Sequence, residues 1–120
     1  MKKTQTILLL LTLMFSLASC KSREAEIEIV NKLQNVTLRN ISFGTILFEN
    51  SLQYNDSQGR NVDDFLDNVT FPLKYQLQFE MSKEEKIRHL KTEEYFTLEE
   101  GQKLVIEIKY NTKVVEIKNE

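Results

Sequence analysis

The stretch FPLKYQLQFEM, residues 71–81, alternates without a break. Phe71, Leu73, Tyr75, Leu77, Phe79 and Met81 take every second position, and Pro72, Lys74, Gln76, Gln78 and Glu80 fill the gaps. A helix would scatter the six apolar residues around its circumference, whereas a strand sets them all on one face. The run therefore predicts one half-buried strand over 71–81, and with it a chain that folds by layering sheets.

The same period recurs elsewhere. EIEIV (26–30) puts Ile27 and Ile29 on one face. VTLRNISFGTILF (36–48) is β-rich but changes phase near Asn40–Ile41: Val36 and Leu38 are even, Ile41 and Phe43 odd. A phase change of that kind calls for a β-bulge or a strand that switches sheets, and Gly44 offers a second bend. KIRHL (86–90) and YFTL (95–98) are shorter strand candidates. EEGQ (99–102) reads as a turn with Gly101 free to take positive φ. KLVIEIKY (103–110) directs Leu104, Ile106, Ile108 and Tyr110 inward, and KVVEIK (113–118) is expected to return beside it as a hairpin. Between these runs, YNDSQGRNVDDFLDN (54–68) is polar, yet Val62, Phe65, Leu66 and Val69 fall at helical spacing. With Asn61 as N-cap and Asp63 and Asp64 in the first turn, it predicts a short helix near 61–68.

These segments add up to an all-β fold: a small antiparallel β-sandwich of about seven strands, immunoglobulin-like or transthyretin-like, with a small barrel as the alternative. The phrase LEEGQKLVIEI is similar to the later strands of many bacterial immunoglobulin-like modules. The Cys–Trp–Cys signature of antibody domains is missing, since the chain has one Cys and no Trp. At 120 residues there is room for one domain, and 41% hydrophobic content is too apolar for a disordered chain.

The amino-terminal segment has a different character. Met1-Lys2-Lys3 is a basic start, ILLLLTLMFSLA (7–18) an apolar run, and Ala18 and Ser19 are small. This is the order of a secretory signal peptide, and the run is short of the ~20 residues a spanning helix needs. Leu17-Ala18-Ser19-Cys20 resembles the lipobox of bacterial lipoproteins position by position. The resemblance implies cleavage between Ser19 and Cys20, a diacylglycerol on the Cys20 thiol and acylation of its new amino group. It also implies a cell-envelope location held by lipid. Lys21 rather than Asp follows the cysteine, which by the same resemblance points to the outer membrane. KSREAE (21–26) then reads as a polar tether, and 27–120 as the single β domain.

Few side chains suggest chemistry. Without Lys2 and Lys3, 14 Lys and Arg face 18 Asp and Glu from Cys20 onward, a net of −4 that gives no footprint for nucleic acid. Cys20 is the only cysteine and His89 the only histidine, so neither a thiolate metal site nor a nucleophile relay has its partners. His89 is read as a surface or half-buried strand residue. No cofactor is expected beyond the lipid on Cys20, and the domain reads as non-catalytic. The binding candidates are Tyr54, Asp56, Asp63, Asp64 and Asp67, on the polar loop 49–70. They are read as a surface for a protein or envelope partner, or alternatively as an oxygen-rich loop for a small ligand or Ca²⁺. The spacing of the acids does not match the regular calcium loop. Four N-x-S/T tripeptides, at Asn35, Asn40, Asn55 and Asn68, are read as products of an Asn- and Thr-rich chain rather than as glycan acceptors.

Overall fold

The computed structural model describes residues 24–62 and 69–118. The fold is an all-β sandwich, and the described residues form ten strands. These are β1 (Glu26–Asn31), β2 (Thr37–Phe43), β3 (Ile46–Phe48), β4 (Ser57–Asn61), β5 (Leu73–Tyr75), β6 (Leu77–Lys83), β7 (Lys86–Thr92), β8 (Phe96–Leu98), β9 (Lys103–Ile108) and β10 (Val114–Glu116). One sheet has the order β4-β1-β9, a second β10-β7-β6-β2-β3, and β5 and β8 make a small pair.

The alternation read from the sequence sets which side chains go inside. Ile27 and Ile29 of β1 lie level with Leu104 and Ile106 of β9, and all but the partly buried Leu104 are buried. Leu38, Ile41 and Phe43 of β2, Leu77 and Phe79 of β6 and Leu90 of β7 supply the facing layer of the same apolar cluster. Each such side chain contributes about 1.5–3 kcal/mol on burial, so these two inner faces hold the sheets together.

The phase change in 36–48 is a bulge. The β2–β6 register shifts between Arg39 and Ser42, and Asn40 has φ 50°. The extra residue carries Leu38 and Ile41 onto the same inward face. Gly44, at φ 63°, then opens a two-residue turn into β3. A Cβ there would lie 2.6 Å from the Tyr75 ring, so the position needs glycine for space as well as for backbone.

Four expectations change. First, 71–81 is two strands: β5 pairs with β8, and β6 joins the five-stranded sheet. The chain switches sheets at Gln76. Thr92, fully buried on β7, supports the switch: its hydroxyl accepts from the Leu77 N–H at 3.0 Å and donates to the Glu94 carbonyl at 2.9 Å. The Gln76 side chain donates to the Thr92 carbonyl at 2.9 Å. Alternation cannot report such a break, because the period continues across it. Thr92→Val keeps the shape and removes the partner of the buried Leu77 N–H and of the Glu94 carbonyl. It is expected to cost about 2 kcal/mol, read as a lower urea midpoint at unchanged slope.

Second, β10 does not form a hairpin with β9. It pairs antiparallel with β7, Val114 opposite Thr92 and Glu116 opposite Leu90, so the 109–113 connection crosses between sheets. The turn chemistry is as read, with the Lys109 N–H donating to the Thr112 hydroxyl, but a turn does not choose a ladder partner. Third, β1 and β9 are parallel, so the sandwich is not purely antiparallel. Fourth, the strands outnumber the expected seven. β4 forms within the polar insert, where no alternation marks it, because the edge of β1 is open to pair with it. Asn61 is the last residue of β4; the helix expected after it falls mostly on 63–68, which lie outside the described residues.

The β6–β7 hairpin carries an identifiable local conflict. Its two turn residues, Glu84 and Glu85, have φ 52° and 68°, the type I′ pattern that favours Asn-Gly. Left-handed backbone costs a side-chain-bearing residue about 1–2 kcal/mol. Glu84→Asn with Glu85→Gly is therefore expected to stabilise the domain by about 1–2 kcal/mol, a rise in Tm of about 4–8 °C per kcal/mol in a thermal melt.

Candidate functional site

Tyr54 and Asp56 sit on a tight turn just before β4. Asp56 stabilises the turn: its carboxylate accepts from the Gln53 N–H at 3.0 Å, and its own N–H donates to the Gln53 carbonyl at 2.8 Å. Asn55 occupies the left-handed region at φ 68°. The turn is fastened to the core through Asn31, the last residue of β1. The Asn31 N–H donates to the Asp56 carbonyl at 3.0 Å, and the Asn55 N–H donates to the Asn31 carbonyl at 2.7 Å.

Asn31 continues the inward phase of Ile27 and Ile29 and is fully buried. Its side-chain amide donates to the carbonyls of Val36 and Leu52, at 2.8 and 2.9 Å, and its side-chain oxygen accepts from the Leu33 N–H at 2.8 Å. One side chain thus satisfies three backbone groups from two loops. Tyr54 stands on this braced turn with 45% of its surface exposed. An aromatic on a rigid support gives up little conformational entropy when a partner covers it.

Asp63, Asp64 and Asp67 lie outside the described residues, as do Ser19 and Cys20. Among the described residues no group of three or more His, Cys, Asp or Glu converges as a metal site would. Nor is any helix among them long and apolar enough to cross a membrane. Tyr75 and Tyr110, read as inward-facing, are not core residues. Tyr75 is 37% exposed and packs edge-on against Phe43, with ring centroids 5.3 Å apart. Tyr110 lies beyond the end of β9 and is 76% exposed.

The outer face of the five-stranded sheet carries a second polar feature. Glu80 on β6 lies level with Arg39 on β2 and His89 on β7. Its carboxylate contacts Arg39 Nε at 3.1 Å and His89 Nδ1 at 3.5 Å. Its pKa is lowered, chiefly by a side-chain hydrogen bond from Asn40 and against the opposing effect of burial, with Arg39 and His89 adding to the fall. A carboxylate held ionised with both oxygens engaged ties three strands together; it is tuned away from donating a proton. His89 is at the surface as expected.

A third feature is an open groove of about 810 Å³ beside β9, whose walls include Glu93, Phe96, Val105, Glu107 and Lys113. Its lining mixes charged and apolar groups without a converging set.

Asn35, Asn40 and Asn55, three of the four sequon asparagines, have φ of 62°, 50° and 68°. Asn tolerates left-handed backbone better than other side-chain-bearing residues. The Thr37 and Ser57 that complete two of the tripeptides open β2 and β4. These tripeptides therefore have a backbone explanation, a bend followed by a strand start.

Comparison of the chain with protein-family models, with curated proteins and with solved structures found no match.

Proposed function

We propose that this chain is a cell-envelope lipoprotein, held on a membrane by lipid on Cys20, that presents a non-catalytic β-sandwich to a protein or envelope partner. The observation that carries this reading is the Leu17-Ala18-Ser19-Cys20 motif together with its position. Cys20 comes only five residues before Ala25, the first buried side chain of the described domain. A cut before Cys20 would remove the apolar leader and leave the folded part intact, with a short polar tether.

Lys21 after the cysteine favours the outer membrane as the destination. The exposed Tyr54 on its braced turn is the contact residue this reading favours, and the engaged state of Glu80 and Asp56 speaks for display over catalysis. The direct test is mass spectrometry of the amino-terminal peptide from the membrane-purified protein. The expected species begins at Cys20 and carries a diacylglyceryl group. A peptide that retains residues before Cys20, or an unmodified Cys20, would overturn the reading.

A further inference from the structure

β9 ends the three-stranded sheet, with β1 on one side and no strand on the other among the described residues. The Gln102 carbonyl accepts from the Glu26 N–H and the Ile108 carbonyl from the Lys32 N–H, so the even residues of this segment point their backbone toward β1. Backbone direction alternates along a strand, which turns the N–H and C=O of Lys103, Val105 and Glu107 toward the open edge. Val105 is 48% exposed, and Lys103 and Glu107 are exposed on either side of it.

This edge is complementary to itself. Take a second copy antiparallel, with Val105 opposite Val105. Lys103 then faces the other copy's Glu107, and Glu107 its Lys103. All three facing pairs are odd residues, the ones whose backbone groups are turned outward, so each can exchange two hydrogen bonds as a hydrogen-bonded antiparallel pair does. A parallel copy in register would set Lys103 on Lys103 and Glu107 on Glu107, which like charge disfavours. The charges that protect the edge from indiscriminate pairing thus select one partner and one register.

We propose that the chain self-associates through β9, giving a two-fold, six-stranded sheet β4-β1-β9-β9-β1-β4 centred on Val105. Strand spacing and rise put the two Glu26 residues about 20 Å apart in that arrangement. Both tethers could then reach one bilayer lying against the sheet, although the pairing itself does not depend on the lipid. Five residues per edge make a small interface, so the association is weak in dilute solution and gains from confinement to a surface.

The test is thiol cross-linking in the full chain on membranes, with a bismaleimide spanning about 8 Å. The wild-type chain, whose only cysteine is Cys20, sets the background. Val105→Cys places two thiols across the axis, where facing Cα atoms are about 5.5 Å apart, and a covalent dimer well above background is expected. Lys103→Cys places its thiols about 14 Å apart and is expected to stay at background. In the Val105→Cys chain, Lys103→Glu is expected to lower the dimer yield about tenfold, since two attractive pairs become repulsive. Adding Glu107→Lys restores it. Thermal melts of each variant check that the fold persists. Background yield from Val105→Cys, equal yields from Val105→Cys and Lys103→Cys, or indifference to the charge swap would each overturn the proposal.

Discussion

Cys20→Ala is expected to move the protein from the membrane fraction to the soluble fraction almost completely. Each buried methylene of an acyl chain contributes about 0.8 kcal/mol, and one myristoyl chain alone gives only marginal binding. Two or three chains hold a protein stably, so on the proposed anchoring the loss of the Cys20 thiol has an effect of several powers of ten in partitioning. The measurement is fractionation of cells followed by a carbonate wash. A substituted chain that stays membrane-bound to the wild-type degree would sink the anchor. Because Ala also blocks the lipobox cut, and an uncleaved 7–18 run would itself hold the chain in the membrane, the substituted chain is exported behind a leader that an ordinary signal peptidase removes.

Asn31→Ala is expected to be the most damaging substitution of a polar side chain in the described core. It removes three hydrogen bonds at once and leaves the Val36 carbonyl and the Leu33 N–H buried without the side chain that pairs them, while the Leu52 carbonyl keeps its bond from the Leu38 N–H. At about 1–3 kcal/mol for each of the two orphaned groups, the loss is at least about 2 kcal/mol. That is a large share of the ~5–15 kcal/mol available to a domain of this kind. Chemical denaturation in the soluble Cys20→Ala background measures it. Asn31→Leu should do no better, which separates the polar contribution from volume. Asn31→Asp adds a finer check. It keeps the acceptor for Leu33 but presses a carboxylate against two carbonyls, so it should be at least as unstable near neutral pH. It should recover part of the loss on acidification, as a protonated acid regains one donor. Stability that fell by less than about 1 kcal/mol in the Ala variant would show that the loops find other partners.

Asn31 also marks where sequence reasoning stops. Its phase with Ile27 and Ile29 is visible in EIEIVN, and that phase alone points the side chain inward. What it meets there depends on two loops distant in sequence, and no periodicity encodes that. The same division runs through the fold. Inward positions such as Leu77, Phe79 and Ile106 follow from alternation, as does the bulge at Asn40, because a pleated strand ties phase to face. Ladder partners do not follow. FPLKYQLQFEM keeps its period through a sheet switch, and KVVEIK pairs with β7 while its turn chemistry suits a hairpin. β4 has a sequence, SQGRN, with no strand signal of its own and takes its conformation from the edge of β1. Of the candidate contact residues, Tyr54 was legible as exposed from its polar surroundings, while the bracing that makes its position rigid was not.

The parallel pairing of β1 with β9 has a consequence for how the chain comes to be folded. Glu26 lies beside Lys103, 77 residues away, and the intervening segment must be present before that ladder can close. Such distant pairing makes for slow folding, because chain closure must precede the contacts that reward it. A chain threaded amino end first through an export channel, as the proposed location requires, would leave β1 with half of its ladder missing until nearly the whole sequence had passed. The topology would thus keep the precursor open during transit and delay completion of the domain until it has reached the far side.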